Sequence, residues 1–258
     1  MSRSADWHAM QYTKFEDERT RAVRDLVSAI PKGNVRVAVD IGCGPANSTE
    51  VLAAAFPEAR VSGVDSSPDM LEAARKRMPG VRFEQADITA WNDAGPFDLI
   101  LANAVLQWVP GHETLFPSLV EKLAPGGHLA VQMPDNLEEP AHTLMRQVAM
   151  SGPWAGRLTG AERTMRHRPG WYYDLLAPRC ARIDLWRTTY CHVLDSADAI
   201  VEWFKGSALR PFLAPLDAGE QARFITQYRD TLALAYPAQR NGKVLLPFPR
   251  LFIVATRA

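Results

Sequence analysis

The first 135 residues alternate between two patterns of hydrophobic and polar positions. One pattern is the short apolar run, such as Val37, Val39 and Ile41 before a glycine turn, which is typical of a buried strand. The other pattern places apolar residues three or four positions apart, which is typical of a helix that packs on a core. The runs of strand type cover residues 35–42, 59–67, 81–88 and 128–133, and residues 97–109 start as a strand and continue into a short helix. The helical segments cover residues 12–31, 47–57, 68–80 and 112–127. This alternation predicts an α/β fold with a doubly wound parallel sheet.

Residues at the ends of the helical segments predict where the helices begin and end. Asn47, Ser48 and Thr49 are residue types that cap helices, and they stand just after the glycine turn. Pro68 fits the first turn of the next helix, and Gly80 fits its end.

The second half of the chain follows a less regular pattern. Residues 136–180 are rich in Arg, Trp, Tyr, Gly and Pro, residues 182–194 and 249–257 resemble strands, and residues 196–236 have a helical pattern. We therefore expect a single domain over residues 1–258 that has four parts. These are an N-terminal helical lid at 1–30, a cofactor-binding core at 31–135, a substrate cap with late core strands at 136–240 and a final strand at 241–258. The helical cap is expected over the carboxyl ends of the strands, where open α/β sheets bind ligands.

Composition narrows the class of function. The 258 residues carry 29 basic and 29 acidic side chains, so the net charge of zero predicts binding to neither nucleic acid nor an anionic membrane surface. The three cysteines are scattered, which predicts neither a disulfide framework nor a zinc site. The N-terminus is polar and lacks the apolar core of a signal peptide, and no run is long enough to span a membrane. We expect a cytoplasmic protein without a bound metal.

The glycine turn at residues 42–44 indicates a bound nucleotide-like cofactor. Gly42 and Gly44 let the backbone turn sharply and approach a ligand closely, because no Cβ intervenes. A dinucleotide fingerprint would place a third glycine where Asn47 stands, and the Gly-Lys-Ser/Thr of a Walker loop is absent. The turn therefore favours a cofactor that carries no phosphates.

Three acids end three consecutive strands behind this turn. Asp40 ends the first strand, Asp65 ends the second, where a carboxylate can accept bonds from ribose hydroxyls, and Asp87 ends the third, where it could meet an adenine amino group. The alternative for Asp65 and Asp87 is that each merely caps a helix or turn. Their shared position at strand ends favours the ligand-binding interpretation.

The stretches "DIGCG", "GVDSSPDML" and "ADI" resemble motifs of the class I S-adenosylmethionine-dependent methyltransferases. The resemblance implies a Rossmann-like sheet of seven strands, mostly parallel, whose last strand is reversed. It implies that Asp40 and the 42–44 backbone hold the methionine part, that Asp65 holds the ribose, and that residues 103–108 flank the sulfonium. The cofactor-binding residues that it implies are Asp40, Gly42, Cys43, Gly44, Asn47, Asp65, Ser66, Met70, Asp87, Ile88, Asn103, Ala104 and Gln107. Many members have glycine at this position of the loop, and the Cβ of Ala46 would narrow the loop slightly.

Blocks beyond the cofactor half, among them "EPAHTLMR", "DLWRTTYCHVL", "LRPFL" and "FPRLFIVATR", are similar to a family of carboxyl methyltransferases that act on trans-aconitate. The resemblance implies methyl transfer from S-adenosylmethionine to a carboxylate of this small tricarboxylate. A carboxylate is already ionised at pH 7, so we expect no general base. Arginines are natural clamps for the substrate, and weaker donors or aromatic walls complete its site. The substrate-binding candidates are Gln107, Trp108, Arg146, Tyr173, Arg187, Trp203, Arg210 and Arg250.

Other interpretations stay open at this point. The acceptor could be another small acid, such as the free carboxylate of a malonyl thioester. The chain could instead be a binding protein that senses S-adenosylmethionine, although the intact "ANAVLQW" argues against this, or an NAD-dependent oxidoreductase, which Asn47 disfavours. For Trp203, which is at helical spacing with Ile200 and Phe204, core packing is the simpler role. We expect a monomer.

Overall fold

A single sheet of seven strands organises the chain, in the order β3-β2-β1-β4-β5-β7-β6. The computed structural model describes residues 16–161 and 167–258. The strands are β1 (Val37–Ile41), β2 (Arg60–Asp65), β3 (Arg82–Gln85), β4 (Phe97–Asn103), β5 (Leu123–Pro134), β6 (Cys180–Leu194) and β7 (Val244–Arg257).

Strand directions are those of a doubly wound sheet with one reversed strand. The pairs β1–β2, β1–β4, β2–β3 and β4–β5 are parallel. Two contacts join β5 and its continuation to β7: His128 Nδ1 lies 3.0 Å from Thr256 Oγ1, and the backbone N–H of Asp135 donates to Pro249 O at 2.7 Å. Residue numbers rise along one partner and fall along the other, so β7 runs antiparallel. The predicted fold class is confirmed.

Helices connect the strands and account for most of the remaining described chain. They are α1 (Glu16–Ser28), α2 (Asn47–Ala55), α3 (Pro68–Arg77), α4 (His112–Glu121), α5 (Pro140–Ser151), α6 (Ala155–Leu158), α7 (Pro169–Leu176), α8 (Ala197–Lys205), α9 (Arg210–Leu213) and α10 (Ala218–Ala235). Short 3₁₀ turns lie at Ile88–Ala90, Leu106–Trp108 and Ala177–Arg179. The predicted helix at 12–31 begins outside the described residues. None of the helices in the described part of the chain is long and apolar enough to cross a membrane.

The central strands are buried because helices cover the sheet. Leu99, Ile100, Leu101 and Ala102 of β4 are completely buried in succession, as expected of a parallel strand covered on both faces. This explains why their sequence is a continuous apolar run rather than an alternating one. The carboxyl ends of β1, β2 and β4 are thereby held on a rigid base.

The chain forms two compact units. Among the described residues, the first comprises residues 16–134, 167–188 and 251–258, and the second comprises residues 135–161 and 189–250. Within the second unit, the Tyr228 hydroxyl donates to Ala141 O at 2.8 Å, and the Tyr236 hydroxyl accepts from Ala141 N at 2.9 Å. These bonds pin the start of α5 to the last turns of α10, whose N-terminus is closed by a reciprocal capping box between Asp217 and Glu220.

Candidate active site

The turn after β1 is held against β2 by its own backbone. The N–H groups of Gly42 and Cys43 both donate to Val64 O, at 2.7 and 3.0 Å. Gly42 has φ +70°, and a Cβ there would lie 2.3 Å from a side-chain carbon of Val105. Only glycine fits this position, because the conformation is left-handed and the residue after β4 packs directly on the backbone.

Asp65 joins this turn to the one after β2. Its Oδ2 accepts from Gly44 N at 2.9 Å, and its Oδ1 accepts from Ser67 N at 2.9 Å. Both carboxylate oxygens thus order backbone amides, as the capping interpretation requires, while the side chain stays half-exposed. Each oxygen has a second lone pair, so this arrangement leaves Asp65 able to accept ligand hydroxyls.

Asp40 is completely buried at the end of β1 and is held by two hydroxyls. Ser48 Oγ and Thr49 Oγ1 each donate to its Oδ2 at 2.7 Å. Burial raises the pKa of Asp40 to about 7, an effect opposed by these two hydrogen bonds. The carboxyl group is therefore poised to change its proton occupancy near neutral pH.

The prediction that Asn47, Ser48 and Thr49 cap α2 is wrong. The residue at the cap is Ala46, in the left-handed region at φ 72°, and no side chain caps the helix. The two hydroxyls donate to Asp40 instead, because a buried ionisable oxygen is more costly to leave unsatisfied than a backbone amide at a helix end.

Several buried oxygens around these turns have no hydrogen-bond partner among the described residues. They are Asp40 Oδ1, Asn47 Oδ1, Asn103 Oδ1 and Gln107 Oε1. Native proteins rarely leave such atoms unsatisfied, so a group of them indicates a polar ligand. Space is present as well: a Cβ on Gly44 would meet no described atom within 4 Å. The residues fit a ligand that carries donors, such as an ammonium group or an amide.

The residues assigned to the adenosine part lie on the turns after β2 and β3. Met70 is buried in the first turn of α3, and Ser66 is exposed with its carbonyl accepting from Gln85 Nε2 at 3.2 Å. Asp87 is exposed, and its Oδ1 accepts from both the N–H and the hydroxyl of Thr89 at 2.8 Å. Ile88 beside it is half-buried. This geometry includes the predicted capping role of Asp87 and leaves its Oδ2 exposed to a ligand.

The segment after β4 turns sharply into the Leu106–Trp108 turn. Ala104 has φ +53°, and its N–H donates to Gln132 O of β5 at 2.8 Å. Gln107 is buried and donates from Nε2 to Ala104 O at 2.6 Å, so its amide closes the turn. Trp108 is 38% exposed at the end of the turn. A large aromatic surface and the Gln107 carboxamide oxygen are thus presented beside Asn103.

His112 holds the Leu106–Trp108 turn through a hydrogen bond, a role that sequence reasoning missed. Its Nε2 lies 2.8 Å from Leu106 O, and its Nδ1 lies 2.7 Å from the hydroxyl of Tyr172. A carbonyl oxygen only accepts, so Nε2 carries the proton, and in the neutral ring Nδ1 accepts from Tyr172. Tyr172 is separated from His112 by 60 positions in sequence, so no local pattern could reveal the pair.

The predicted substrate residues fall in both units. In the first unit, Tyr173 is 52% exposed on α7 and Arg187 is exposed on β6. In the second unit, Arg146 on α5 and Arg210 at the start of α9 are half-buried. Gln107 and Trp108 belong to the first unit, whereas Trp203 and Arg250 belong to the second.

Arg250 and Trp203 lie in a buried aromatic cluster of the second unit. The guanidinium carbon of Arg250 is 4.8 Å from the centroid of Phe248 and 5.9 Å from that of Tyr190. Trp203 stacks on His192 at 4.5 Å, which is the core-packing role considered for it from the sequence. The Arg250 guanidinium is thus buried against aromatic faces, an arrangement that cation–π contacts stabilise.

Comparison with known proteins decides the family. A family model described as a methyltransferase domain matches residues 38–127. A trans-aconitate 2-methyltransferase of Methylobacterium nodulans is 56% identical over 98% of this chain and 99% of its own length. One from Rhodopseudomonas palustris (strain BisB18) is 53% identical over 98% of this chain and 100% of its own. This chain belongs to the trans-aconitate 2-methyltransferase family.

A solved structure agrees on the fold. The YcgJ protein of Bacillus subtilis superposes with a TM-score of 0.61, covering 92% of this chain and 98% of its own, at 13% sequence identity. The matched methyltransferase domain contains every predicted cofactor residue of this trans-aconitate 2-methyltransferase family member. The four candidate arginines, Arg146, Arg187, Arg210 and Arg250, lie beyond the residues that this domain model matches.

Sequence reasoning also passed over Gln132 and Asn136, which are buried polar residues at and just after the end of β5. Their signal is the polar pair within "VQMPDN", where a strand that is apolar on both faces ends. Among the described residues, no cluster of His, Cys, Asp or Glu is arranged to hold a metal ion.

Proposed function

We propose that this protein transfers the methyl group of S-adenosylmethionine to one carboxylate of trans-aconitate, giving the monomethyl ester and S-adenosylhomocysteine. The observation that carries the proposal is the 56% identity to a trans-aconitate 2-methyltransferase over 98% of the chain. That similarity extends over the second half of the chain. A match to the cofactor domain alone, which many methyltransferases share, would not support the choice of substrate.

The turns of the first unit are assigned to the cofactor. Gly44 leaves open space for the cofactor. Asp65 would accept hydrogen bonds from its ribose hydroxyls, and Oδ1 of Asp40 would accept one from its positively charged ammonium group. Met70 packs against the adenine, whose edge Asp87 and Ile88 meet. Asn103, Ala104 and Gln107 lie along the sulfonium end, while Cys43, Asn47 and Ser66 line the turns.

When bound, S-adenosylmethionine supplies a methyl group on a positively charged sulfur that leaves as a neutral thioether. An oxygen–carbon bond forms as the carbon–sulfur bond breaks, and the electron pair of that bond stays on sulfur. The acceptor carboxylate is ionised at neutral pH, so no residue of the protein needs to remove a proton. The protein contributes alignment of oxygen, carbon and sulfur, and positioning of this kind can supply about 7–11 kcal/mol of a barrier.

Division of labour among the donors follows from this chemistry. A guanidinium paired with the attacking carboxylate would lower its nucleophilicity, so Arg146, Arg187, Arg210 and Arg250 are assigned to the two spectator carboxylates. Gln107, Trp108 and Tyr173 are weaker donors suited to orienting the reactive carboxylate, and Trp203 forms part of the apolar wall. We retain residues 31–135 as the cofactor core and 136–240 as the substrate cap in this proposal.

Incubation with methyl-labelled S-adenosylmethionine and a panel of di- and tricarboxylates tests the proposal. The expected result is label in a monomethyl ester of trans-aconitate, with weaker transfer to the other acids. Transfer to a different acid alone would overturn the substrate assignment while leaving the methyltransferase assignment intact.

Two sets of variants, each with its own control, test the residue assignments. Asp65→Ala is expected to weaken S-adenosylhomocysteine binding in a titration, whereas Asp69→Ala, an exposed acid on the neighbouring helix, serves as the control. Arg187→Ala and Arg210→Ala are expected to raise KM for trans-aconitate, with Arg229→Ala, an exposed arginine on α10, as the control. Unchanged KM and kcat in both Arg187→Ala and Arg210→Ala would refute the clamp.

A further inference from the structure

Gln107 carries a buried carboxamide oxygen that the fold does not use. The side chain is 8% exposed, and its Oε1 has no hydrogen-bond partner among the described residues. Native proteins pair nearly all buried polar atoms, so an exception of this kind calls for a ligand or another role.

The orientation of this carboxamide is fixed by the turn that it closes. Gln107 Nε2 donates to Ala104 O at 2.6 Å. A carbonyl oxygen only accepts, so a reversed amide would set two oxygens against each other at this distance. The atom left over is therefore Oε1, which can only accept. Nε2 carries a second hydrogen, so the donor role assigned to Gln107 above is still open to it.

The turn that contains Gln107 packs on the glycine turn after β1. A Cβ on Gly42 would lie 2.3 Å from a side-chain carbon of Val105, so the two turns are in direct contact. A Cβ on Gly44 would meet no described atom within 4 Å, so this contact borders open space. Gln107 thus belongs to the same carboxyl edge of the sheet as the turn assigned to the cofactor, and open α/β sheets bind ligands at this edge.

The polar groups at this edge favour a positively charged ligand. Asn103 Oδ1, at the end of β4, is a second buried oxygen without a partner among the described residues. At the glycine turn, burial raises the pKa of the Cys43 thiol, and the charges of Asp40 and Asp65 raise it further. Arg75 lowers it by less than either acid raises it. The field of these charges at the turn is therefore negative and stabilises a cation.

We propose that Gln107 Oε1 accepts from the methyl group on the positively charged sulfur of S-adenosylmethionine, which makes Gln107 a specificity-determining residue between cofactor and product. The positive sulfur polarises the C–H bonds of its methyl group, and a carbonyl oxygen is a suitable acceptor for them. S-adenosylhomocysteine has neither the charge nor the methyl group. The oxygen loses its partner once the methyl group is transferred, and this weakens the binding of the product.

This inference rests on the proposed function, and it goes further in one respect. The family resemblance places residues 103–108 beside the sulfonium. The distinction between a charged cofactor and a neutral product follows instead from the fixed orientation of the Gln107 amide.

Two substitutions of Gln107 test the inference in the full-length protein, with no acceptor present. Titration gives the dissociation constants of S-adenosylmethionine and S-adenosylhomocysteine, and the ratio of product to cofactor is compared with that of wild type. Gln107→Met removes the oxygen at similar length, so the ratio should fall about 2- to 5-fold, as for loss of one weak hydrogen bond. Gln107→Glu puts a negative charge at this place, so the ratio should rise.

Gln85→Met is the matched control. Gln85 Nε2 also donates to a backbone carbonyl, that of Ser66 at 3.2 Å, at the end of β3. The adenosine part assigned to this end of the sheet is the same in both ligands, so the ratio should equal that of wild type. A substitution that only disturbs a turn weakens both ligands equally, and the ratio therefore separates contact with the charge from a structural role.

A ratio that is unchanged in both Gln107 variants, or that moves in the same direction in both, would overturn the inference. Thermal unfolding shows whether each variant folds, and either one alone is decisive because the expected directions are opposite. Wild type provides a further measurement. The analogue in which a carbon bearing an ammonium group replaces the methylated sulfur keeps the charge, so it should bind more tightly than S-adenosylhomocysteine, and weaker binding would also overturn the inference.

These titrations distinguish the inference from the proposed function because they use no acceptor. If wild type methylates an acid other than trans-aconitate, the proposed substrate is wrong, and the ratio still decides the role of Gln107. If wild type binds neither S-adenosylmethionine nor S-adenosylhomocysteine, both proposals fail.

Discussion

The hydroxyl of Tyr172 donates a hydrogen bond to Nδ1 of His112 across 2.7 Å, and Nε2 of His112 donates a second hydrogen bond to Leu106 O at 2.8 Å. Both side chains are buried. This relay joins α7 and α4 to the Leu106–Trp108 turn, which carries Gln107 and Trp108. The turn to which the proposed function assigns the reactive carboxylate is thus fixed by polar contacts as well as by apolar packing.

Removal of the Tyr172 hydroxyl leaves a buried imidazole nitrogen without its donor. We expect Tyr172→Phe to lower the free energy of unfolding by about 1–3 kcal/mol and to reduce kcat through displacement of the turn. Urea unfolding and steady-state kinetics measure the two effects. Tyr173→Phe removes the same atom from an exposed neighbour, and its unfolding free energy should change by less than about 0.5 kcal/mol. Equal stability losses in the two variants would contradict the relay.

Asp40 predicts an unusual pH dependence of stability. Its pKa rises from 3.8 to about 7 on folding, chiefly through burial, so the folded protein retains a proton that the unfolded chain has released between these values. Its contribution to stability is complete below pH 3.8 and declines as the pH rises to about 7, by at most about 1.4 kcal/mol per pH unit. Asp40→Asn removes this titration. The unfolding free energy of wild type minus that of Asp40→Asn should therefore fall as the pH rises from 3.8 to about 7. A difference that stays constant over this range would refute the raised pKa.

Ala46 occupies a conformation that favours glycine. At φ 72° a residue with a Cβ is strained by about 1–2 kcal/mol, and glycine relieves the strain at a smaller entropic cost in the unfolded chain. We expect Ala46→Gly to raise the free energy of unfolding by up to about 1 kcal/mol. Ala222→Gly makes the same change on the exposed face of α10, where it should lower that free energy by about 0.5–1 kcal/mol. Changes of the same sign in the two variants would contradict the strain at Ala46.

Local patterns were sufficient to predict the frame of the molecule. Apolar runs ending at Asp40 and Asp65 placed the ends of β1 and β2 to within one residue, because a buried parallel strand needs a continuous apolar sequence. The reversed final strand came from the family resemblance, and its antiparallel contacts confirm it.

Contacts between distant positions could not be predicted in the same way. Ser48 and Thr49 have the composition of helix caps, and only the three-dimensional position of Asp40 shows that they stabilise a buried carboxyl group instead. His112 gave no signal, because Tyr172, which is hydrogen-bonded to its Nδ1, lies 60 positions away in the sequence. Residues 136–180 contain α5, α6 and α7. The sequence did not predict these helices, because this segment carries few regular apolar repeats.

Gly42 and Gly44 have the same left-handed backbone but different surroundings, so the same substitution should fail for different reasons. A Cβ on Gly42 would lie 2.3 Å from Val105, whereas one on Gly44 would enter open space. Both alanine variants carry a strain of about 1–2 kcal/mol, and Gly42→Ala adds about 1–3 kcal/mol of overpacking. Gly42→Ala should therefore have the lower free energy of unfolding in urea. Gly44→Ala should have the larger loss of affinity for S-adenosylhomocysteine relative to its loss of unfolding free energy.

Val105→Ala provides the control for the overpacking at Gly42. Removal of the two Val105 methyl groups takes away the atoms that the new Cβ would strike at 2.3 and 2.9 Å and leaves the Val105 Cβ at 2.5 Å, so this variant relieves part of the clash. The double variant Gly42→Ala, Val105→Ala should then lose less stability than the sum of the single variants, by a coupling of about 0.5–3 kcal/mol. Strict additivity would mean that the backbone conformation alone demands glycine, and that the Val105 methyl groups make no contribution to holding the turn.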